Sequence, residues 1–556
     1  MIKFIRFIIL SLIFSLFFGC KKEKKGSIII EEEVVLVKDT IRTDHTEVKD
    51  FREFKVTDSK FINQETLWKP FKTELDAFGH STYDSLKPFI LERTIPEIQH
   101  SVADGDFTYE ELVLFYLYRI RKFDRQNKLS LNAVISLNPK ALETARILDS
   151  SEERIDANSI FGMPVLLKDN VNTKYMTTTA GAVVFSDNNT NDAFITERLK
   201  EKGAIILGKA NLSEWAYFFC GDCPSGYSAI GGQTFNPYGR RSIDTGGSSS
   251  GSGVAVAANF CVAAVGTETS GSILSPSSQN SVVGLKPTIG LLSRTGIVPI
   301  SSTLDTPGPM AKSVIDAAIL LQSMVGIDEE DPAFKDSPEV KEFYTQGFGS
   351  ASVKGKRFGV MTTLKEDSLY LEAIDVLKNQ GAILVEIVPE AIELPDFIRL
   401  LNLDMKKDLP EYISKQGAQN LSVKNVADVI TYNMEKDTIS TAPYGQKLFN
   451  GIEADKGSLE DLKVIRDTLF SRGLQFFERP MQAYRLDAVL SINNYHAGYA
   501  AVARYPALTI PMGYTNKNEP EGLTIITTPF NEEQLLEWGY VYEQASKKRK
   551  IPRQYQ

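Results

Sequence analysis

Histidine and cysteine are both scarce in this sequence. The chain contains 4 histidines and 4 cysteines among 556 residues. So few cysteines exclude a scaffold built from disulfides. So few histidines leave little material for a metal site or a histidine-based active site. We therefore expect no metal and no cofactor, and a general base other than histidine if the protein is a hydrolase.

Positive charge is in deficit as well. The chain carries 62 Lys and Arg against 71 Asp and Glu, a net charge of −9, which argues against nucleic acid as a partner. Its 42% hydrophobic and 24% charged residues are ordinary values for a globular protein. Collagen-like, coiled-coil and wholly disordered chains are thereby excluded, and the sequence has no solenoid repeat.

A long apolar run lies at the N-terminus. Residues 7–18 are apolar apart from two serines, and they follow two basic residues. A run of this length is short for a membrane span and typical of a secretory signal peptide, predicted here over residues 1–19. Gly19-Cys20 resembles a bacterial lipobox, which implies cleavage before Cys20 and its lipidation; a plain signal peptide and an uncleaved anchor are the alternatives. We expect a lipoprotein of the bacterial cell envelope, facing the periplasm or held in the outer membrane, whose lipid anchor is its membrane contact.

Composition divides the remainder into a tether and one large domain. Residues 20–85 are rich in charge and predict a flexible N-terminal extension, whereas residues 86–556 hold the globular body. Strand-like and helix-like patterns alternate in that body, which predicts an α/β fold with helices flanking a single large mixed sheet. Residues 327–480 give weaker signals and are expected to be helices that cover the sheet and shape the substrate entrance.

Several individual elements can be placed from local patterns. Thr108 and Glu111 form a capping box that starts a helix, and the basic run Lys547–Lys550 predicts a solvated helix end. The remaining patterns predict strands at 163–167, 204–207, 261–265, 487–492 and 505–511, a helix that ends at 202, one that begins at 211 and one over 254–258.

Two segments rich in glycine and serine carry the strongest local signal. Residues 246–253 read GGSSSGSG and residues 266–272 read GTETSGS. Backbone N–H groups at such turns suit an anion or an oxyanion, although most Gly/Ser runs are simple turns. A P-loop is disfavoured because no lysine follows either turn. The G-x-S-x-G elbow of α/β-hydrolases matches formally at Gly247–Gly251, but no apolar strand precedes it and only His496 could complete its triad.

Lys168 changes the interpretation of these two turns. It ends an apolar strand-like run, where a lone lysine usually reaches solvent. Together with the two turns, however, it strongly resembles the amidase signature family, whose two serines have the spacing found here between Ser248 and Ser272. The resemblance covers about residue 90 to the C-terminus, with its core at about 160–320, and is closest to the peptide-amidase-like branch. It includes GMP at 162–164, KDN at 168–170, GKANLSE at 208–214, VGLKPT at 283–288 and DTPGPM at 305–310.

This resemblance implies the amidase signature fold and an amide hydrolase acting on linear C–N amide bonds of a small-molecule or peptide substrate. Ser272 would be the nucleophile that forms an acyl-enzyme, Ser248 would bridge it to Lys168, and Lys168 would be the base. The family holds its bridging serine after a cis peptide bond, which is expected here at Gly247–Ser248. The backbone N–H groups of three further residues would form the oxyanion hole and contact substrate: Thr269, Ser270 and Gly271.

Four positions depart from the family pattern. Ser250 takes the place of the family's second signature glycine, Leu274 stands where many members carry arginine, and the other two departures precede Ser272. Glu268 stands where the family usually carries aspartate, and Ser270 replaces a glycine, so Ser270 is expected to need a backbone conformation easier for glycine. The peptide-amidase-like branch commonly carries an acidic residue at the position of Ser270. Its absence leaves the preference for peptide substrates open.

A lysine can act as a base only if its pKa falls well below about 10.4, which requires desolvation without a close carboxylate. The apolar run before Lys168 predicts such burial. Asp169 would oppose it, but strand alternation points adjacent side chains to opposite faces of a sheet. We therefore expect the carboxylate of Asp169 to face away from the amine.

Two other functions share these motifs. The glutaminase-type component of an amidotransferase carries the same signature but works with cytoplasmic partners on tRNA, which the export signal disfavours. A catalytically silent binding protein on the same scaffold is disfavoured because all three triad positions are kept.

Cys220 and Cys223 form a C-x-x-C pair that allows several interpretations. A local disulfide is favoured outside the cytoplasm, free thiols come next, and a redox catalyst or half of a zinc site is disfavoured. Cys261 lies in an apolar run and is expected in the core.

Overall fold

The computed structural model describes residues 54–125, 127–152, 155–336 and 344–556. The predicted signal peptide, Cys20 and the first part of the predicted extension lie outside these ranges. Within them, no helix combines the length and the apolar character needed to cross a lipid bilayer.

An 11-stranded mixed sheet forms the centre of the described body and confirms the predicted fold class. In chain order the strands are β1 (Val134–Leu137), β2 (Pro164–Lys168), β3 (Ile205–Ala210), β4 (Tyr227–Ser228), β5 (Gly232–Gln233), β6 (Ala263–Glu268), β7 (Val283–Lys286), β8 (Thr306–Ala311), β9 (Arg357–Met361), β10 (Ile383–Ile387), β11 (Ala488–Ile492), β12 (Ala507–Tyr514) and β13 (Pro520–Ile526). Their order across the sheet is β1-β3-β2-β6-β8-β7-β12-β13-β11-β9-β10, and β4 and β5 form a separate pair.

Helices cover this sheet, and one of them begins at the side-chain cap that the sequence predicts. The capping box at Thr108 is present, because its hydroxyl accepts from the Glu111 N–H while the Glu111 carboxylate accepts from the Thr108 N–H. In chain order the helices of the described residues are α1 (Gln64–Trp68), α2 (Lys72–Ile90), α3 (Ile95–Ala103), α4 (Tyr109–Phe123), α5 (Ala141–Asp149), α6 (Phe194–Glu201), α7 (Ser250–Ala257), α8 (Leu274–Gln279), α9 (Val314–Met324), α10 (Ser368–Asn379), α11 (Phe397–Lys415), α12 (Val426–Glu435), α13 (Thr438–Thr441), α14 (Lys447–Ala454), α15 (Leu459–Tyr484), α16 (Ala497–Val502) and α17 (Glu532–Ser546).

Lys168 and the glycine- and serine-rich turn 266–272 lie close together at the centre of the sheet. β2 pairs in parallel with both β3 and β6, and all of its residues are buried. Strands covered by helices on both faces read as continuous apolar runs, as β2 does. Because parallel strands end at the same edge of a sheet, Lys168 at the end of β2 and Glu268 at the end of β6 lie at one edge.

Helix α7 packs unusually close to the sheet. Its sequence, SGSGVAVA, consists of small residues that are all buried. A β-carbon added at Gly251 would lie 2.4 Å from Asn211 O and 2.5 Å from Ala133 O. Only glycine fits that position, so the serine-rich turn before α7 is held directly against the strand ends.

Four expectations differ from the structure. The predicted extension reached residue 85, but α1 and α2 are folded over 64–90 because Phe71, Leu75 and Tyr83 are buried in the core. The predicted strands account for β2, β3, β6, β11 and β12. The other strands of the sheet were not predicted, and two of them, β9 and β10, lie in the stretch 327–480 that was expected to be helical. The helix predicted from residue 211 is instead a short turn, Glu214–Tyr217. The predicted solvated end, Lys547–Lys550, contains a largely buried arginine that pairs with Glu92 at 2.8 Å.

Candidate active site

Lys168 is completely buried and its amine touches only uncharged oxygens among the described residues. Nζ lies 2.8 Å from Ser248 Oγ, 2.8 Å from Thr267 Oγ1 and 3.1 Å from Thr267 O. Asp169 points away and pairs with Lys209 at 3.1 Å, as strand alternation predicts. The amine therefore sits in a dry environment next to a serine hydroxyl.

This environment changes the protonation of the lysine. Burial lowers the pKa of Lys168 to about 7, because the ammonium loses its hydration, while Asp305 and Glu268 oppose the shift. An ordinary lysine with a pKa near 10.4 is almost fully protonated at neutral pH. About half of the Lys168 amines are neutral near pH 7, so this residue can accept a proton.

The two serines lie on neighbouring segments. A cis peptide bond joins Gly247 and Ser248, as the resemblance implies, and Ser249 N–H donates to Ser272 O at 3.1 Å. Ser248 is completely buried, whereas Ser272 is 8% exposed, so Ser272 is the member of the predicted triad that still meets solvent. The two hydroxyls make no direct hydrogen bond in the described structure; such catalytic bonds often tighten only when substrate binds.

The loop before Ser272 presents backbone N–H groups. Those of Ser270, Gly271 and Ser272 donate to no other group in the described part of the chain. Gly271 has a φ of 85°, which glycine adopts readily. Ser270 does not have a positive φ, so the strain expected at Ser270 is not found and the special conformation falls on Gly271. Unpaired donors beside a nucleophile can bind an oxyanion.

Two carboxylates, the half-buried Asp305 and the buried Glu268, hold this loop in place. Thr269 Oγ1 donates to Asp305 Oδ1 at 2.5 Å, and Asp305 also accepts two backbone N–H groups. Glu268 Oε2 accepts the N–H groups of the two residues after Ser272 at 2.7 and 2.9 Å. The loop is therefore held on both sides of Ser272, and Glu268 can replace the usual aspartate because it still reaches these amides.

A left-handed turn and a disulfide lie in the segment after β3. Trp215, Ala216 and Tyr217 have φ values of 52°, 55° and 77°, which are costly for residues other than glycine. Cys220 and Cys223 form a disulfide with a Cα–Cα distance of 5.8 Å, the interpretation favoured from the sequence. Cys261 is a buried free thiol, as expected of a core residue.

Three residues near the site could not be assigned a role from their own sequence pattern. Thr267 contacts the lysine amine, and Asn170 Nδ2 donates to Thr267 Oγ1 at 3.0 Å. Asn494 lies against the loop that precedes Ser272, since a β-carbon added at Gly271 would be 2.9 Å from its Nδ2. The turn GTETSGS and the motif KDN contain the first two, but nothing near residue 494 indicates that it reaches the site. Among the described residues, no group of three or more His, Cys, Asp or Glu could hold a metal ion.

A buried lysine, two serines on glycine-rich turns and free N–H groups beside the second serine together form a site that suits a hydrolase. Comparison with known proteins specifies the class further. The amidase family model matches residues 111–440. The chain is 37% identical over 480 residues to a probable amidase of Arabidopsis thaliana, covering 84% of this chain and 92% of the relative.

Solved structures agree with this assignment. An amidase family protein from Bacillus anthracis has a TM-score of 0.84 and 38% identity, covering 89% of this chain and 99% of that one. The native peptide amidase of Stenotrophomonas maltophilia has a TM-score of 0.77 and 36% identity, covering 83% and 98%. The chain belongs to the amidase signature family of hydrolases that act on C–N bonds, and it resembles the peptide-amidase-like branch.

Proposed function

We propose that this protein hydrolyses linear amides through an acyl-enzyme on Ser272, with Ser248 as proton relay and Lys168 as base. The observation that carries the proposal is the buried Lys168 amine, 2.8 Å from Ser248 Oγ, with a pKa lowered to about 7. A serine hydroxyl is a poor nucleophile without an adjacent proton acceptor. A lysine that is neutral near pH 7 supplies one.

The reaction then proceeds in two halves. Ser272 Oγ attacks the amide carbon and its proton passes to Ser248, while the Ser248 proton moves to Lys168 Nζ. The free N–H groups of Ser270 and Gly271 stabilise the oxyanion, each contributing roughly 100- to 1000-fold in rate. The C–N bond breaks as the same relay returns the proton to the leaving amine. Water then attacks the acyl-enzyme and releases the carboxylic acid.

The substrate class we favour is an uncharged small amide or peptide amide. The relative that is a peptide amidase supports a peptide-like substrate, but Ser270, the position beside the nucleophile where that branch commonly carries an acidic residue, is neutral here. Ser270 is partly exposed beside Ser272 and Asn494 is partly exposed beside Gly271. An amide side chain both donates and accepts hydrogen bonds, so Asn494 suits a substrate that carries a second neutral amide group.

Labelling with a fluorophosphonate probe tests the nucleophile. We expect the probe to label Ser272, identified by peptide mass spectrometry, and the Ser272→Ala protein to lose both labelling and amide hydrolysis. The matched control is Ser323→Ala, which removes a buried hydroxyl that donates to Ile319 O in α9. Labelling of folded Ser272→Ala at the wild-type rate would refute the proposal, and so would an unlabelled wild-type protein.

We also propose that the protein is exported and lipidated at Cys20. The support is the sequence of the N-terminus, an apolar run followed by Gly19-Cys20 and a basic segment. Expressed in a bacterium fed radiolabelled palmitate, the wild-type protein should carry label and fractionate with membranes. Cys20→Ala should abolish the label, whereas Cys261→Ala should not. An intact Met1 in the mature protein would contradict the proposal.

The glutaminase-type and non-catalytic alternatives make different predictions. A glutaminase-type enzyme would release ammonia from glutamine, and its activity would depend on partner proteins. A binding protein would resist the fluorophosphonate although it folds. A screen of glutamine, peptide amides, aliphatic amides and aryl amides against the purified protein separates these cases.

A further inference from the structure

Thr267 contributes two of the three oxygens around the Lys168 amine. The amine lies 2.8 Å from Thr267 Oγ1 and 3.1 Å from Thr267 O, and the remaining contact is Ser248 Oγ at 2.8 Å. Thr267 lies in β6, next to its last residue Glu268, and is 6% exposed. Bulk water therefore has little access to compete for these contacts.

A count of hydrogens shows why the threonine matters. A neutral lysine amine has two N–H donors and one lone pair, and only the lone pair can take a proton. The Thr267 carbonyl can only accept, so it binds one N–H. If Thr267 Oγ1 accepts the other N–H, the lone pair is left facing Ser248. If the threonine hydroxyl instead donated to the amine, the lone pair would be blocked.

The surroundings of the threonine hydroxyl favour the first arrangement. Asn170 Nδ2 donates to Thr267 Oγ1 at 3.0 Å, which already uses that oxygen as an acceptor. The hydroxyl hydrogen has room elsewhere, because a cavity of about 10 Å³ adjoins Thr267, enough for roughly one water molecule. Asn170 and Asp305 also line this cavity. Both can accept a hydrogen bond.

The backbone of Thr267 is fixed to the segment that carries Ser248. Ser249 Oγ donates to Thr267 O at 3.0 Å, and Thr267 N–H donates to Ser249 Oγ at 3.2 Å. These two hydrogen bonds hold Ser249, which follows the bridging Ser248, against Thr267, which contacts the lysine amine. Thr267 therefore helps to position both Ser248 and Lys168.

We propose that Thr267 is a positioning residue that turns the lone pair of Lys168 toward Ser248. Asn170 supports it by holding the threonine hydroxyl as an acceptor. The inference rests on the function proposed above, because it concerns the same proton relay.

The test compares the rate of fluorophosphonate inactivation as a function of pH in four proteins. They are the wild type, Thr267→Val, Thr267→Ser and the control Thr306→Val. Thr306 is also buried, on the neighbouring strand β8, and its hydroxyl donates to Pro307 O. Asp305 and Glu268, the carboxylates that face Lys168 electrostatically, are kept in all four.

We expect Thr267→Val to react about 10- to 100-fold more slowly than wild type at high pH, because the amine is no longer aimed. The acid limb of its profile, which is the fall in inactivation rate as the pH is lowered, should also move to lower pH by roughly 0.5 to 1 unit. The reason is that an acceptor that stabilises the ammonium of Lys168 is lost, which lowers its pKa. Thr267→Ser keeps the hydroxyl and should regain most of the rate and the wild-type acid limb. Thr306→Val should keep that acid limb.

The outcomes separate this inference from the proposed function. If the wild type itself is not labelled at Ser272, the proposed function fails. If the wild type is labelled, two results would overturn the positioning role. One is a Thr267→Val protein that reacts at the wild-type rate or faster, and the other is a Thr267→Ser protein that behaves like Thr267→Val. A slower Thr267→Val protein with an unmoved acid limb would likewise show a structural effect and overturn it.

Discussion

Lys168 illustrates how far single residues could be understood from the sequence. Its place at the end of an apolar run predicted burial, and alternation predicted that Asp169 would face away; it pairs with Lys209. The contacts from Thr267 and Asn170 could not be foreseen, because they depend on how two strands align. The expectation for Ser270 is wrong, since the positive φ falls on Gly271.

At the residue scale, replacing Lys168 should remove the base while leaving the fold intact. Lys168→Met keeps the apolar stem and should lower the rate of amide hydrolysis by about 100- to 10,000-fold, the range typical of a general base. Lys168→Arg should be as impaired, because arginine stays protonated at every ordinary pH. Turnover of either folded variant, checked by circular dichroism, at near the wild-type rate would rule out Lys168 as the base.

Helix α7 and its neighbours show what could be predicted of the elements. The run of small residues indicated a helix that packs closely, and the structure places it against the backbone at the end of β3. The helix expected from residue 211 is absent because Trp215, Ala216 and Tyr217 adopt left-handed conformations. Tertiary contacts, which local propensity does not report, impose such turns.

At the element scale, Gly251→Ala should be strongly destabilising. The added methyl group would meet backbone oxygens of Asn211 and Ala133, which cannot move as a side-chain tip could, so we expect a loss of about 3 kcal/mol in the free energy of unfolding. The matched control is Gly451→Ala in α14, where nothing lies within 4 Å; it should gain about 0.5–1 kcal/mol. Urea titration measures both, and equal effects would contradict this packing account.

Over the whole molecule, two segments whose composition indicated exposure to solvent belong to the folded body. They are residues 64–85, which were predicted to be part of the extension, and residues 547–550. Helix α2 is mostly polar on its outer face, so its charge suggested a tether although its apolar residues pack on the core. The basic run at the C-terminus suggested solvation, yet Arg549 reaches Glu92, 457 positions away in the sequence. Charge content alone does not reveal a pairing partner that distant.

At this scale, Arg549→Met should destabilise the fold. Glu92 would lose its cation, and the two side chains of this pair are only 12% and 31% exposed, so removing one member should cost about 1–3 kcal/mol. Lys548→Met removes a pair with Glu372 in which the side chains are 31% and 58% exposed, so it should change stability by less than about 1 kcal/mol. Thermal unfolding of the two variants compares these effects, and a similar change in melting temperature would contradict the assigned burial of Arg549.

The central claim is that a neutral lysine activates Ser272, and the pH dependence of fluorophosphonate labelling of the wild-type protein tests it most directly. Because protonation below a pKa of about 7 removes the base, the labelling rate at Ser272 should rise as the pH increases from mildly acidic to mildly alkaline, with its midpoint near that value. A rate that stays flat across this range, or that rises only near the ordinary lysine pKa of about 10.4, would show that Lys168 is not the proton acceptor.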